Sequence, residues 1–139
     1  MIISRKMIKN DVIYDTILNL VKSKNKLKNL FKKEFTDEDC VDIHGLTFKN
    51  FRVLEDLEFL KYFKNLEELD FTNGEIKDIS WINYLDLKLE SLWFENVKVS
   101  FDFSEFRNLE TLSIQYSNEE LFRKNMVGNW IWCLVGTLY

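Results

Sequence analysis

The feature that most constrains this chain is a spaced apolar triad. Ile43-Leu46-Phe48, Leu66-Leu69-Phe71, Leu89-Leu92-Phe94 and Leu109-Leu112-Ile114 all place large apolar residues at relative positions 1, 4 and 6. From 43 to 66, 66 to 89 and 89 to 109, the steps are 23, 23 and 20 residues. Such spacing fits neither one helix face nor a simple alternating strand. Positions 4 and 6 read as a short strand with one face inward, and position 1 anchors its entry. After the strand the chain turns, and a second apolar group closes each unit: Val53 and Leu57, Ile76 and Ile79, Val99 and Phe103. No unit of this size buries such residues alone. Stacked units share one core, and their strands pair as a parallel sheet.

A fixed period in the low twenties is the mark of a leucine-rich repeat solenoid. The stretch "LEELDFTNGEIKDISWI" resembles the short leucine-rich repeat, roughly 22 residues long, of bacterial internalins and of the eukaryotic phosphatase-1 regulatory subunit. The resemblance rests on Leu66-x-x-Leu69-x-Phe71 followed by Ile76-x-Asp78-Ile79. "SFDFSEFRNLETLSI" repeats the plan with Asp102, Phe103, Phe106, Leu109 and Leu112, and "LEDLEFLKYFKNL" with Asp56, Leu57, Leu60 and Leu66. It covers residues 41–118. It implies an α/β solenoid whose strand face recognises proteins, and it implies no catalysis. There is one departure. The family places Asn at position 9, where its side chain satisfies backbone groups inside the turn. Here position 9 holds Phe51, Gly74, Val97 and Ser117, and Asn50, Asn73 and Asn96 stand one place earlier.

The ends of such an array expose core and need caps. Residues 11–35 read as one amphipathic helix, with Ile13, Ile17, Leu20, Val21, Leu27, Leu30 and Phe31 on its apolar stripe and Asn10 or Asp11 at its start. At the other end, residues 125–139 carry no charge. Fifteen residues fall short of the ~20 a membrane-spanning helix needs. Asn129-Trp130 repeats the Asn65-Leu66 and Asn108-Leu109 pairs that open earlier units, so the tail reads as the start of a further unit. The expected organisation is a helical cap over 1–40, repeats over 41–124, and an incomplete repeat or cap over 125–139.

Charge bears on partners. Residues 1–35 hold nine Lys/Arg against three Asp/Glu, and the remainder holds ten against twenty. A basic head on an acidic body leaves two readings of function. The first is a non-enzymatic protein-binding module, a scaffold or an inhibitor of the immunity type, whose acidic face covers a basic protein. The alternative is a membrane-associated protein using the Lys-rich helix or the apolar tail. Aromatics are not interleaved with the lysines, so nucleic acid is not expected, and the apolar stripe demands burial before it can serve a membrane. Cys40 and Cys133 match no metal spacing and read as free thiols. "MIISRKMIKNDV" has no apolar signal core, which makes the cytoplasm the expected compartment.

The candidate surface follows from strand geometry. Positions 3, 5 and 7 point away from the core. They place Trp93 beside Glu68, Asp70 and Glu95, with Thr111 and Gln115 on the next strand. An outward Trp is a favoured interface anchor, and carboxylates around it select a basic partner. Catalysis is not expected. The one histidine, His44, has no paired nucleophile, and no phosphate loop, cofactor motif or metal cluster is present. The acidic run Asp37, Glu38, Asp39 and Asp42 lacks the Gly and distal Glu of a calcium loop and reads as a solvated loop.

Overall fold

The structure is a computed structural model that describes residues 1–24, 31–78 and 89–99, together with the backbone of residues 113–116. In chain order it contains strand β1 (Ile2–Ile3), helix α1 (Asp11–Lys24), strand β2 (Phe35–Thr36) and the short helix α2 (Asp37–Cys40). Strand β3 (Gly45–Leu54), a 3-10 turn over Glu58–Tyr62, and strands β4 (Glu68–Ile76), β5 (Ser91–Val99) and β6 (Ser113–Tyr116) follow. β1 and β2 pair antiparallel, and β3 to β6 form a parallel sheet in chain order. A parallel sheet with an N-terminal helix is the α/β arrangement that the apolar spacing predicts.

The register aligns the triads. Leu46, Leu69 and Leu92 are side by side, as are Phe48, Phe71 and Phe94, and all six are buried. The Phe48–Phe71 and Phe71–Phe94 ring centroids are each 5.8 Å apart. Aromatic pairs at such separations add about 0.5–1.5 kcal/mol beyond their burial. The core continues without a break into Ile13, Tyr14 and Ile17 of α1.

The strands run longer than expected because pairing continues past the second triad residue. What changes there is the phase of burial. In β5 the inward residues are Leu92 and Phe94, then Val97 and Val99, so the alternation slips by one at Asn96. Asn50, Asn73 and Asn96 have φ of 55°, 57° and 51°. This left-handed region reverses the side on which later side chains fall, and asparagine tolerates it better than most other residues. The gap of five between Phe71 and Ile76 is thereby explained, since the inward position between them belongs to Gly74. The Phe51 ring fills that space: a Cβ on Gly74 would lie 2.5 Å from Phe51 Cε2. The asparagine ladder is present one position early and faces solvent. Asn73 Nδ2 donates to Asn50 Oδ1 at 3.2 Å, and Asn96 Nδ2 to Asn73 Oδ1 at 2.8 Å. Apolar groups occupy the inside of the bend where the resemblance leads one to expect asparagine.

Four expectations are corrected. β3 carries one extra residue between Lys49 and Arg52, a β-bulge with Arg52 also left-handed at φ 65°. The bulge shifts the inward position, so Leu54 is buried and Val53, expected as a closing residue, is 40% exposed. The fourth strand is not centred on Leu112. Leu92 pairs with Ile114 and Phe94 with Tyr116, a step of 22 residues. A slip of two keeps every side chain on its own face, so the apolar pattern alone could not choose between the two registers.

The helix expected over 11–35 does not run to its expected end: α1 is described over Asp11–Lys24, and Phe35 enters β2 instead. Phe31, expected on the apolar stripe, is 87% exposed. Leu27 and Leu30 lie outside the described residues, as do Ile79, Phe103 and the tail. The acidic run is not a loop. Asp37–Cys40 is a short helix with a capping box: Asp39 N–H donates to Thr36 Oγ1 at 3.3 Å, and Thr36 N–H to Asp39 Oδ2 at 2.8 Å. Lys32 Nζ holds the same carboxylate oxygen at 2.9 Å.

Asn10 joins the helix to the sheet. Its Oδ1 caps α1 by accepting from Ile13 N–H at 3.1 Å. Its Nδ2 donates to the carbonyls of Phe51 at 2.6 Å and Val53 at 3.1 Å. Those carbonyls lie on β3, the first strand of the sheet, so one side chain starts the helix and blunts the sheet edge.

Candidate functional site: the outward face of the sheet

Before the asparagine bend, each strand presents alternate residues outward in rows fixed by the register. Gly45, Glu68 and Ser91 make the first row, Thr47, Asp70 and Trp93 the second, and Lys49, Thr72 and Glu95 the third. Adjacent strands lie ~4.8 Å apart, so Asp70 stands directly beside Trp93. Glu68 precedes Asp70 by two residues and Glu95 follows Trp93 by two, all on this face. The four side chains expected to form a surface are therefore brought together across β4 and β5. Gln115, expected in the row of Glu95, pairs instead with Trp93 through its backbone. Thr111 lies outside the described residues.

The electrostatics of the face are unbalanced. Glu68 and Glu95 are exposed, while Asp70 and Trp93 are half-buried. Burial pushes the Asp70 carboxyl above its ordinary range; a hydrogen bond from Thr47 opposes this and the Glu68 carboxylate reinforces it. That bond is long, with Thr47 Oγ1 donating to Asp70 Oδ2 at 3.4 Å. Other acidic residues have cations to hand: Asp11 and Asp15 meet Arg5, Glu58 meets Lys61, and Glu55 meets Lys77. Among the described residues no Lys or Arg reaches Glu68, Asp70 or Glu95.

No protein-family model matches this chain, and no curated protein matches it.

Other chemistry-bearing residues sit elsewhere and do not converge. His44 Nδ1 is 3.6 Å from Glu67 in an exposed pair. Its carbonyl accepts from the N–H groups of Glu67 and Glu68, which joins the entry of β3 to that of β4. Cys40 is buried and its thiol is pushed up to about 12 by burial, which removes the thiolate that reactivity requires. Among the described residues no three His, Cys, Asp or Glu side chains are grouped to hold a metal ion. No helix among them is long and apolar enough to cross a membrane. The apolar stripe of α1 is spent inside the core, where Ile13, Tyr14, Ile17, Leu18 and Val21 are buried.

Sequence reasoning missed Thr47, the only described side chain that hydrogen-bonds Asp70. The signal was available in principle, because Thr47 and Asp70 are 23 residues apart and share one position of the pattern.

Proposed function

We propose that this chain is a non-enzymatic protein-binding module built as a short leucine-rich repeat solenoid, and that it covers a basic protein with the outward face of β4 and β5. The observation that carries the reading is the register that sets Asp70 beside Trp93, with Glu68 and Glu95 on the same face and no Lys or Arg among the described residues within ion-pair distance of the three carboxylates. Half-buried indole flanked by carboxylate is the composition of an interface anchor for a cationic partner. The solenoid reading is supported by the 23-residue steps of register from Leu46 to Leu69 to Leu92 and by the ladder of left-handed asparagines that follows them. An inhibitor that masks a basic protein is the specific form that the charge imbalance favours. The cytoplasm suits this reading, because the buried Cys40 thiol is unpaired.

The test is capture from the native host with immobilised wild-type protein, Trp93→Ala, and Phe31→Ala as a control on a remote exposed aromatic. A basic protein retained by the wild type and the Phe31 variant, released by salt and lost from the Trp93 variant supports the reading. A partner retained equally by all three places the interface on another surface.

A further inference from the structure

We propose that the residue this face selects is arginine, its guanidinium lying on the Trp93 indole and forking onto the Asp70 carboxylate. The inference rests on the protein-binding reading above and narrows it to one side-chain chemistry. Trp93 and Asp70 are register neighbours on adjacent parallel strands, so their side chains leave the same face ~4.8 Å apart. A cation within about 6 Å of an indole centroid is attracted by the negative face of the ring. Guanidinium is planar, so it can lie against the ring while two N–H groups point in its own plane at a carboxylate. Lysine offers a compact and strongly hydrated charge that does not match both surfaces at once.

Asp70 is equipped for such a partner. Oδ2 holds only the long contact to Thr47, and Oδ1 has no donor among the described residues. Half-burial has already stripped part of its water. Glu68 and Glu95 remain exposed along the same two strands and supply the field that draws a cation in. The chain builds the same arrangement internally: Arg5 Cζ lies 4.5 Å over the Tyr14 ring centroid while its guanidinium pairs with Asp15. On the sheet face the aromatic ring and the carboxylate are in place, and the guanidinium is what a partner brings.

The test uses end-capped hexa-arginine and hexa-lysine peptides titrated into the full chain and into Asp70→Asn and Trp93→Ala. Binding is followed by calorimetry and by the Trp93 indole N–H resonance. Hexa-arginine should bind about three- to fivefold more tightly than hexa-lysine, the scale of a partly exposed cation–π contact, and should move the Trp93 resonance. Both variants should lose that preference while keeping a cooperative melt. Equal affinity for the two peptides, or a preference that survives both substitutions, overturns the assignment. If the captured natural partner weakens on Trp93→Ala while the peptides show no arginine preference, the protein-binding reading stands and the arginine assignment falls. If neither partner nor peptide responds to Trp93→Ala, both fall.

Discussion

Gly74→Ala isolates the packing inside the asparagine bend. The added methyl would meet Phe51 Cε2, Cζ and Cδ2 at 2.5, 2.6 and 2.8 Å. Carbon atoms pack comfortably at ~3.5–4.0 Å, so the ring must retreat by about 1 Å. It has little room, being fully buried with its centroid 5.5 Å from that of Phe71 in an edge-to-face contact. Overpacking of this kind costs about 1–3 kcal/mol. Losing a strand glycine returns roughly 0.5–1 kcal/mol of backbone entropy. The net expectation is a loss of about 1–2 kcal/mol, a fall in Tm of several degrees for a domain of this size. Phe51→Leu shrinks the obstructing side chain, so Gly74→Ala should cost much less when combined with that substitution. Urea unfolding of the wild type, both single variants and the double variant yields the coupling directly. A neutral or stabilising Gly74→Ala, or a cycle additive within about 0.5 kcal/mol, would refute the claim that Phe51 occupies the space a Cβ needs.

Other substitutions probe the bend, the cap and the site. Asn73→Gly and Asn73→Ala both remove the ladder, but Ala keeps a Cβ in the left-handed region without the local polar contacts that let asparagine tolerate it, at ~1–2 kcal/mol, whereas Gly has no Cβ to strain; chemical denaturation should rank Ala below Gly, and equal stabilities would contradict the left-handed assignment. Asn10→Asp retains an N-cap acceptor but loses both donors to the β3 carbonyls, so it should destabilise nearly as much as Asn10→Ala, by about 1–2 kcal/mol; full rescue by Asp would mean the edge contacts contribute nothing. Because burial raises the Asp70 pKa above its unfolded value, the folded state favours the protonated form, and the group's stabilising contribution is lost as pH rises through the folded pKa. Asp70→Asn should therefore melt higher than the wild type at pH 7, with the gap closing as pH falls toward the ordinary carboxylate range near ~4; a wild type that melts higher at pH 7 would contradict the sign.

Much of the sheet was legible because Leu and Phe recur at fixed offsets, and a repeated apolar triad admits few architectures. Once strand order and inward face were known, Glu68, Asp70, Trp93 and Glu95 followed as outward neighbours. The register of β6 was not legible, since Leu112/Ile114 and Ile114/Tyr116 are equivalent under a two-residue slip. Val53 was misplaced because a bulge is set by backbone geometry at Arg52, a residue with no propensity for positive φ. The strand at Phe35 was hidden as well. Phe31 continues the helical spacing, yet pairing of Ile3 with Phe35 places the chain there in a strand. The role of Asn10 depends on carbonyls 41 and 43 residues away, which no local pattern reports.

The outward face of β4 and β5 is the claim on which the functional account stands. Titration of the purified partner into isotope-labelled protein, followed residue by residue in amide and indole resonances, addresses it directly. The account predicts the largest changes at Thr47, Glu68, Asp70, Trp93 and Glu95, with α1 unmoved. Changes concentrated on α1 and the residues around Phe31, with the Trp93 indole unmoved, would contradict it.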